Sequence, residues 1–181
     1  VDLLVRSNGA ELGLRFFDYT AFNISAALWY LNMDSELLYV GDAGTNEPSR
    51  ASRRYGIEVA AYYWLNSNWS LDTELALTRS RFTEPAVDEG NYVDGALPLV
   101  LSMGLIYKAD NPWQLSVRLR HFGKRTLDSF NQQRSKATTT LNAGYRYDWQ
   151  RWRMSLELLN ILDSNNSDID YFYASRLPGE P

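Results

Sequence analysis

Apolar and polar residues alternate with a period of two along most of the chain. Between Ala10 and Phe16 the residues Leu12, Leu14 and Phe16 share one face, and Glu11, Gly13 and Arg15 share the other. The same alternation sets Tyr55, Ile57, Val59, Ala61 and Tyr63 against Arg54, Gly56 and Glu58, and sets Trp69, Leu71, Leu75 and Leu77 against Ser70, Asp72, Glu74 and Ala76. It returns over 97–107, 113–120, 141–148 and 152–158. Side chains of a strand point alternately to its two faces, so each stretch predicts a strand with one greasy and one wet face. A longer strand is expected over 20–40. There the apolar set Phe22, Ile24, Ala26 and Leu28 gives way to Trp29, Leu31 and Met33, and a bulge near Leu28 would explain the change of parity. Eight strands are expected in all.

The connections between these strands alternate in length. Short turns centre on Asp18-Tyr19, Asn66-Ser67-Asn68, Asp110-Asn111 and Trp149-Gln150, and the first three carry the Asn, Asp and Ser that suit tight turns. Long connections run over 41–52, 83–96 and 123–137, and another starts at Asp163. Short and long ends therefore fall on opposite edges of the sheet, the asymmetry of outer-membrane barrels.

Aromatic residues mark both edges of the apolar band. Phe17, Tyr19, Tyr63, Trp64, Trp69, Tyr107, Trp113, Tyr147, Trp149 and Trp152 stand by the short turns, and Trp29, Tyr30, Tyr55, Phe82 and Phe122 lie toward the long loops. Two such rows fit two membrane interfaces. Composition agrees: 45% of residues are hydrophobic and 14% aromatic, yet mean hydropathy is −0.38. No stretch approaches the roughly 20 apolar residues of a transmembrane helix, whereas a barrel needs only every second residue to meet lipid. Together these features predict an all-β fold of antiparallel up-and-down transmembrane strands.

Net charge is −4, which gives no nucleic-acid surface, and the absence of cysteine excludes disulfides and thiolate metal sites. Candidate ligand-binding residues are the charges on the wet parity: Glu11, Arg15, Glu58, Asp72, Glu74, Arg118, Arg120, Arg146, Arg153 and Glu157. A solvated, cross-paired wall is the plainer account of any one of them. Gly104 and Ser155 count as ordinary wet positions. The acids Glu84, Asp88, Glu89 and Asp94, and the segment with Asp163, Asn165, Asn166, Asp168 and Asp170, offer oxygen ligands but lack the spacing of a calcium loop. Arg50, Arg53 and Arg54 could meet an anionic ligand or lipopolysaccharide, though a hydrophilic rim accounts for them. His121 is the one histidine and has no serine in a nucleophile setting near it in sequence, so no enzyme, metal or cofactor is expected.

Two segments carry a resemblance. Leu31-Asn32-Met33-Asp34-Ser35-Glu36-Leu37-Leu38-Tyr39-Val40-Gly41-Asp42-Ala43-Gly44-Thr45 is followed by Pro48-Ser49-Arg50-Ala51-Ser52-Arg53-Arg54-Tyr55-Gly56-Ile57-Glu58. Later come Leu156-Glu157-Leu158-Leu159-Asn160-Ile161-Leu162-Asp163, then Asp168-Ile169-Asp170-Tyr171 and Ser175-Arg176-Leu177-Pro178-Gly179-Glu180-Pro181. In this spacing they resemble the C-terminal barrel region of TonB-dependent outer-membrane receptors. The resemblance implies that residues 1–181 are part of a larger barrel of about 22 strands, with the plug domain and the final strand absent. It also implies the outer membrane of a Gram-negative bacterium as location. The implied partners are outer-membrane lipid, the receptor's own plug domain, TonB, and a scarce transported ligand such as a ferric siderophore or other metal chelate. The alternative is a self-contained eight-stranded outer-membrane barrel with a structural or binding role, in which the first and last strands would pair.

Overall fold

The computed structural model describes residues 5–18, 21–40, 44–84, 86–167, 170 and 172. Ten strands follow one another: β1 Ser7–Asp18, β2 Phe22–Met33, β3 Leu37–Val40, β4 Thr45–Pro48, β5 Ser52–Trp64, β6 Trp69–Phe82, β7 Leu99–Lys108, β8 Trp113–Phe122, β9 Thr138–Trp149 and β10 Trp152–Leu158. Eight of them form one antiparallel sheet in the order β1-β2-β5-β6-β7-β8-β9-β10, and β3 pairs only with β4. Each strand of the large sheet thus lies beside its predecessor there, as an up-and-down wall requires.

Cross-strand register carries the alternation across the whole wall. One row runs Leu12, Leu28, Ile57, Leu77, Leu99, and the next runs Leu14, Ala26, Val59, Leu75, Leu101, His121, Thr139. These rows make the apolar face, and none of the described residues covers it. Leu12 is 72% and Leu14 77% exposed, and the buried hydrophobic residues among those described are Val93 and Ala109, neither of them in a strand. Water-soluble monomers rarely expose so large an apolar face. The hydrophobic effect that would ordinarily close a core must be met here by a non-aqueous surrounding.

Turn chemistry sets the short edge. In the β5–β6 turn the Asn66 side-chain oxygen accepts the amides of Asn68 and Trp69, each at 2.9 Å. Asn68 Nδ2 then donates to the carbonyl of Lys108 at 2.8 Å, tying this turn to the β7–β8 turn. Gln150, in the β9–β10 turn, takes φ 52°, the left-handed region that Asn or Gly adopts more readily. At the other edge Asn160 closes β10, again at positive φ (49°): its amide donates to Asn142 Oδ1 at 2.8 Å, and its side chain exchanges hydrogen bonds with the backbone of Ser164. The Asn-Ile-Leu-Asp motif is therefore a strand terminator, with the Ile161 amide still bonded to the Leu141 carbonyl at 2.8 Å.

Several expectations need correction. No bulge occurs in β2, whose twelve residues pair without a break to both β1 and β5. The parity does not switch, so Trp29, Leu31 and Met33 lie on the wet face. Trp29 is accommodated there because its register partner is Gly56, where a Cβ would sit 2.9 Å from Trp29 Cζ2. The expected strand over 20–40 ends at Met33, and the remainder forms the separate β3–β4 hairpin. The aromatic row by the short turns is present: Trp69, Tyr107 and Trp113 pack in series with ring centroids 4.7 and 5.2 Å apart, and Phe16 stacks on Phe22 at 5.3 Å. Phe17 and Trp64, however, belong to the wet parity. So do Trp29, Phe82 and Phe122 in the second row, which leaves Tyr30 and Tyr55, direct cross-strand partners, on the apolar face there. Tyr19, Thr20, Asp168, Ile169, Tyr171 and 173–181 lie outside the described residues, as do Asp42 and Ala43.

The sheet is open. β1 and β10 are its two edges and do not pair with each other, which overturns the closed eight-stranded barrel. Each edge leaves a row of unpaired backbone groups, the condition in which a strand seeks a neighbour.

Candidate functional site

The wet face is concave and holds all ten charges singled out from the sequence. Its middle carries a rigid cross-strand clamp. Arg118 on β8 reaches across β7 and makes two hydrogen bonds to Asp72 on β6, at 2.9 and 3.0 Å, with a third to Ser102 Oγ at 3.2 Å. The strand between them offers Gly104 at this level, in register with Asp72 and with Arg118. A Cβ on Gly104 would overlap the Asp72 carboxylate and lie 2.6 Å from Arg118 Nη2. Gly104 is thus the gap that lets an ion pair span a strand, not an ordinary wet position. Nearer the short turns, Arg146 donates to Gln114 Oε1 at 2.6 Å and Arg153 to Asp148 Oδ1 at 2.6 Å.

The remaining charges behave differently. Glu11, Arg15, Glu58 and Glu74 line an open concavity of about 770 Å³ bounded by β1, β2, β5, β6 and β7. Among the described residues none of the four has an ion pair or a side-chain hydrogen bond, and the same holds for Arg120 and Glu157. The structure therefore divides the ten into a paired set, Asp72, Arg118, Arg146 and Arg153, and an unpaired set on the wall. Sequence parity could place all ten on one face but could not separate these two groups.

At the long-loop edge the arginines serve as ties. Arg50 stacks over Phe82 at 4.4 Å, donates to the carbonyls of Glu84 and Gly90 at 2.6 and 2.8 Å, and pairs with Glu89 at 3.1 Å. Arg54 pairs with Glu36, which also accepts from Ser52 Oγ at 2.8 Å, so the base of the β3–β4 hairpin is held to β5. Arg53 contacts Asn32 and the Tyr30 ring. The loops 83–98 and 123–137 dock on each other through Tyr92 N to Ser129 O (3.0 Å) and Gly95 N to Thr126 O (2.9 Å), over buried Val93. Gly90 permits this approach, because a Cβ there would collide with the Ser129 backbone.

This loop junction carries a pH dependence. Asp94 has its carboxyl pushed up to about 6, first by desolvation between the loops, then by the negative charges of Asp128 and Glu89, with Arg50 opposing. A raised folded-state value means that the docked loops hold the proton better than undocked ones do. Docking should therefore tighten as pH falls from about 7 toward about 4 and change little below that. The protection factors of the Tyr92 and Gly95 amides, observed exchange referred to the intrinsic rate at each pH, should rise as pH falls across this window, and Asp94→Asn should remove that rise. Protection that falls on acidification would contradict this sign.

The other sequence candidates resolve simply. Among the described residues no group of three His, Asp or Glu side chains is placed to hold a metal ion. Asp128 uses its carboxylate instead to accept the amides of Phe130, Gln132 and Gln133 in its own loop. His121 lies on the apolar parity and hydrogen-bonds Thr139 at 2.7 Å.

An open single-layer sheet, apolar outside and charged inside, with short turns on one edge and long docked loops on the other, is an arc of wall from a large transmembrane-type barrel. The chain belongs to the TonB dependent receptor-like β-barrel family, whose model matches residues 5–161. Barrels of that family are outer-membrane proteins of Gram-negative bacteria. The chain superposes on the ferric yersiniabactin uptake receptor FyuA of Yersinia pestis with a TM-score of 0.74 at 21% identity, covering 88% of this chain and 25% of that one. On the copper transporter OprC the TM-score is 0.72 at 17% identity, with 90% and 26% covered. At these identities the likeness is one of fold. The surface lipoprotein assembly modifier of Pasteurella multocida (strain Pm70) is 29% identical over 119 residues, 63% of this chain and 21% of that protein. The chain thus spans about a quarter of the structures it matches.

Proposed function

We propose that the chain is the C-terminal part of the barrel wall of a TonB-dependent receptor that takes up a scarce metal chelate, such as a ferric siderophore, across the outer membrane. The observation that carries the reading is the bare apolar face of a sheet that stays open at both edges, in a chain belonging to this family. That face meets lipid. The unpaired Glu11, Arg15, Glu58 and Glu74 face the lumen, where a plug domain of the same receptor supplies their partners, and the docked long loops lie outside the cell. The wall contributes shape and charge rather than catalysis. Matched structures that are a ferric-siderophore receptor and a copper transporter support a metal or metal chelate as the cargo class.

The test is uptake. Cells deleted for the full-length receptor should lose accumulation of one labelled metal chelate from a panel, and complemented cells should lose it again when the proton gradient is collapsed. Undiminished accumulation in de-energised cells would overturn a TonB-driven role.

A further inference from the structure

Toward the long loops the apolar face ends in arginines. Beyond the row Leu28, Ile57, Leu77 the same parity continues as Tyr30, Tyr55, Arg79 and then as Asn32, Arg53, Arg81. Arg79 follows Trp69 of the short-turn girdle by ten residues, about 34 Å along the strand at about 3.4 Å per residue. With barrel strands tilted by about 40°, that is a rise of about 26 Å, the height of an outward apolar band. The tyrosine pair and the three arginines therefore stand where hydrocarbon gives way to headgroups.

These three arginines have no counter-charge among the described residues. Arg53 and Arg81 are direct register partners, and like charges facing each other across a strand pair are destabilising. The partners of Arg53 are neutral, Asn32 Oδ1 at 3.3 Å and the Tyr30 ring. Those of Arg81 are neutral too, the Ser80 carbonyl at 2.7 Å and the Tyr92 ring at 3.5 Å. Arg79 is exposed and has neither an ion pair nor a side-chain hydrogen bond among the described residues. At the same edge, arginines off this face are matched within the chain, Arg50 by Glu89 and Arg54 by Glu36. The missing carboxylates are thus confined to the surface that continues the apolar face. We propose that Arg53, Arg79 and Arg81 form a docking surface for the phosphate-bearing headgroup of an anionic membrane lipid, whose acyl chains lie along the Leu28, Ile57 and Leu77 row. Guanidinium forks match phosphate oxygens, and the counter-charge relieves the Arg53–Arg81 repulsion. The proposal rests on the reading of the apolar parity as lipid-facing.

The test uses the full-length receptor in nanodiscs of phosphatidylcholine alone or with phosphatidic acid. Native mass spectrometry of the released protein should show phosphatidic acid retained in preference to phosphatidylcholine, and Arg53→Gln and Arg79→Gln should each lower that preference about fivefold. Lys108→Gln removes the same charge from the wet face at the opposite edge and should leave the preference unchanged. Thermal unfolding supplies a second readout with a change of sign. Phosphatidic acid should raise the Tm of the unaltered protein, and Arg79→Gln should lose most of that rise. In phosphatidylcholine alone Arg79→Gln should be at least as stable as the unaltered protein, because a like charge has gone. Heat-modifiable gel mobility confirms that each variant is folded. A receptor that folds in phosphatidylcholine yet shows no preference for phosphatidic acid would overturn the proposal while leaving the lipid-facing assignment standing. Folded Arg53 and Arg79 variants with undiminished preference, or an equal loss in Lys108→Gln, would overturn it as well.

Discussion

Leu101→Arg should lower the stability of the barrel in lipid by about 2–4 kcal/mol, the cost of an arginine near the bilayer midplane on a barrel's outer face. Leu101 lies between Leu75 and His121 in an outward row. Six residues separate it from Tyr107 in the aromatic girdle, roughly 20 Å along the strand at about 3.4 Å per residue. The residue one step away has the opposite environment. Ala76 lies on the wet face, in register with Glu58, and Ala76→Arg should cost less than about 1 kcal/mol because an opposite charge stands across the strand pair. Urea titrations of protein folded into liposomes measure both. Equal losses at the two positions would remove the lipid-facing assignment of the apolar parity.

The second large effect is expected at a glycine. Gly104→Val fills the gap through which Arg118 reaches Asp72, so the pair must separate. Asp72 is well covered, its side chain 12% exposed, whereas Arg118 is 37% exposed and can turn to water. The cost therefore falls mainly on a carboxylate left without its donors, about 1–3 kcal/mol, below the figure for breaking a fully buried pair. A double-mutant cycle isolates this. In a background of Asp72→Asn with Arg118→Gln the same Gly104→Val change should cost at least about 1 kcal/mol less, because the clamp is already gone. An identical cost in both backgrounds would mean that Gly104 is needed for backbone reasons and not for the clamp.

Both expectations rest on information of different reach. The eight wall strands, and the two faces of each except the second half of β2, were legible from the sequence, since alternation with a period of two is a local property and Leu99, Leu101, Met103 and Leu105 declare their face without reference to any neighbour. The short-turn edge was legible for the same reason, through Asn66, Asn68 and Asp110. Trp29 was misplaced because it is a large apolar side chain on a polar parity. Only the register that sets it opposite Gly56 shows why it is tolerated there. The aromatic row toward the long loops was overcounted in the same way: Phe82 and Phe122 are near the right height but on the inner face. The β3–β4 hairpin was missed because the apolar residues resume at Leu37 after only three polar ones, Asp34, Ser35 and Glu36, and a break that short does not show in the alternation.

The candidate charges divide along the same line. That Glu58, Asp72, Glu74, Arg118 and Arg120 share a face follows from parity. That Asp72 and Arg118 form a clamp while Glu58 and Glu74 stand unpaired depends on contacts across three strands, and on a glycine lying between two particular residues. The sequence by itself determined a strand-built wall with one face for lipid and one for water, because those properties are written residue by residue. The tertiary structure decided that the wall stays open, which of its charges are spent on each other, and how the long loops dock on one another, because each of these depends on register and on contacts between distant segments.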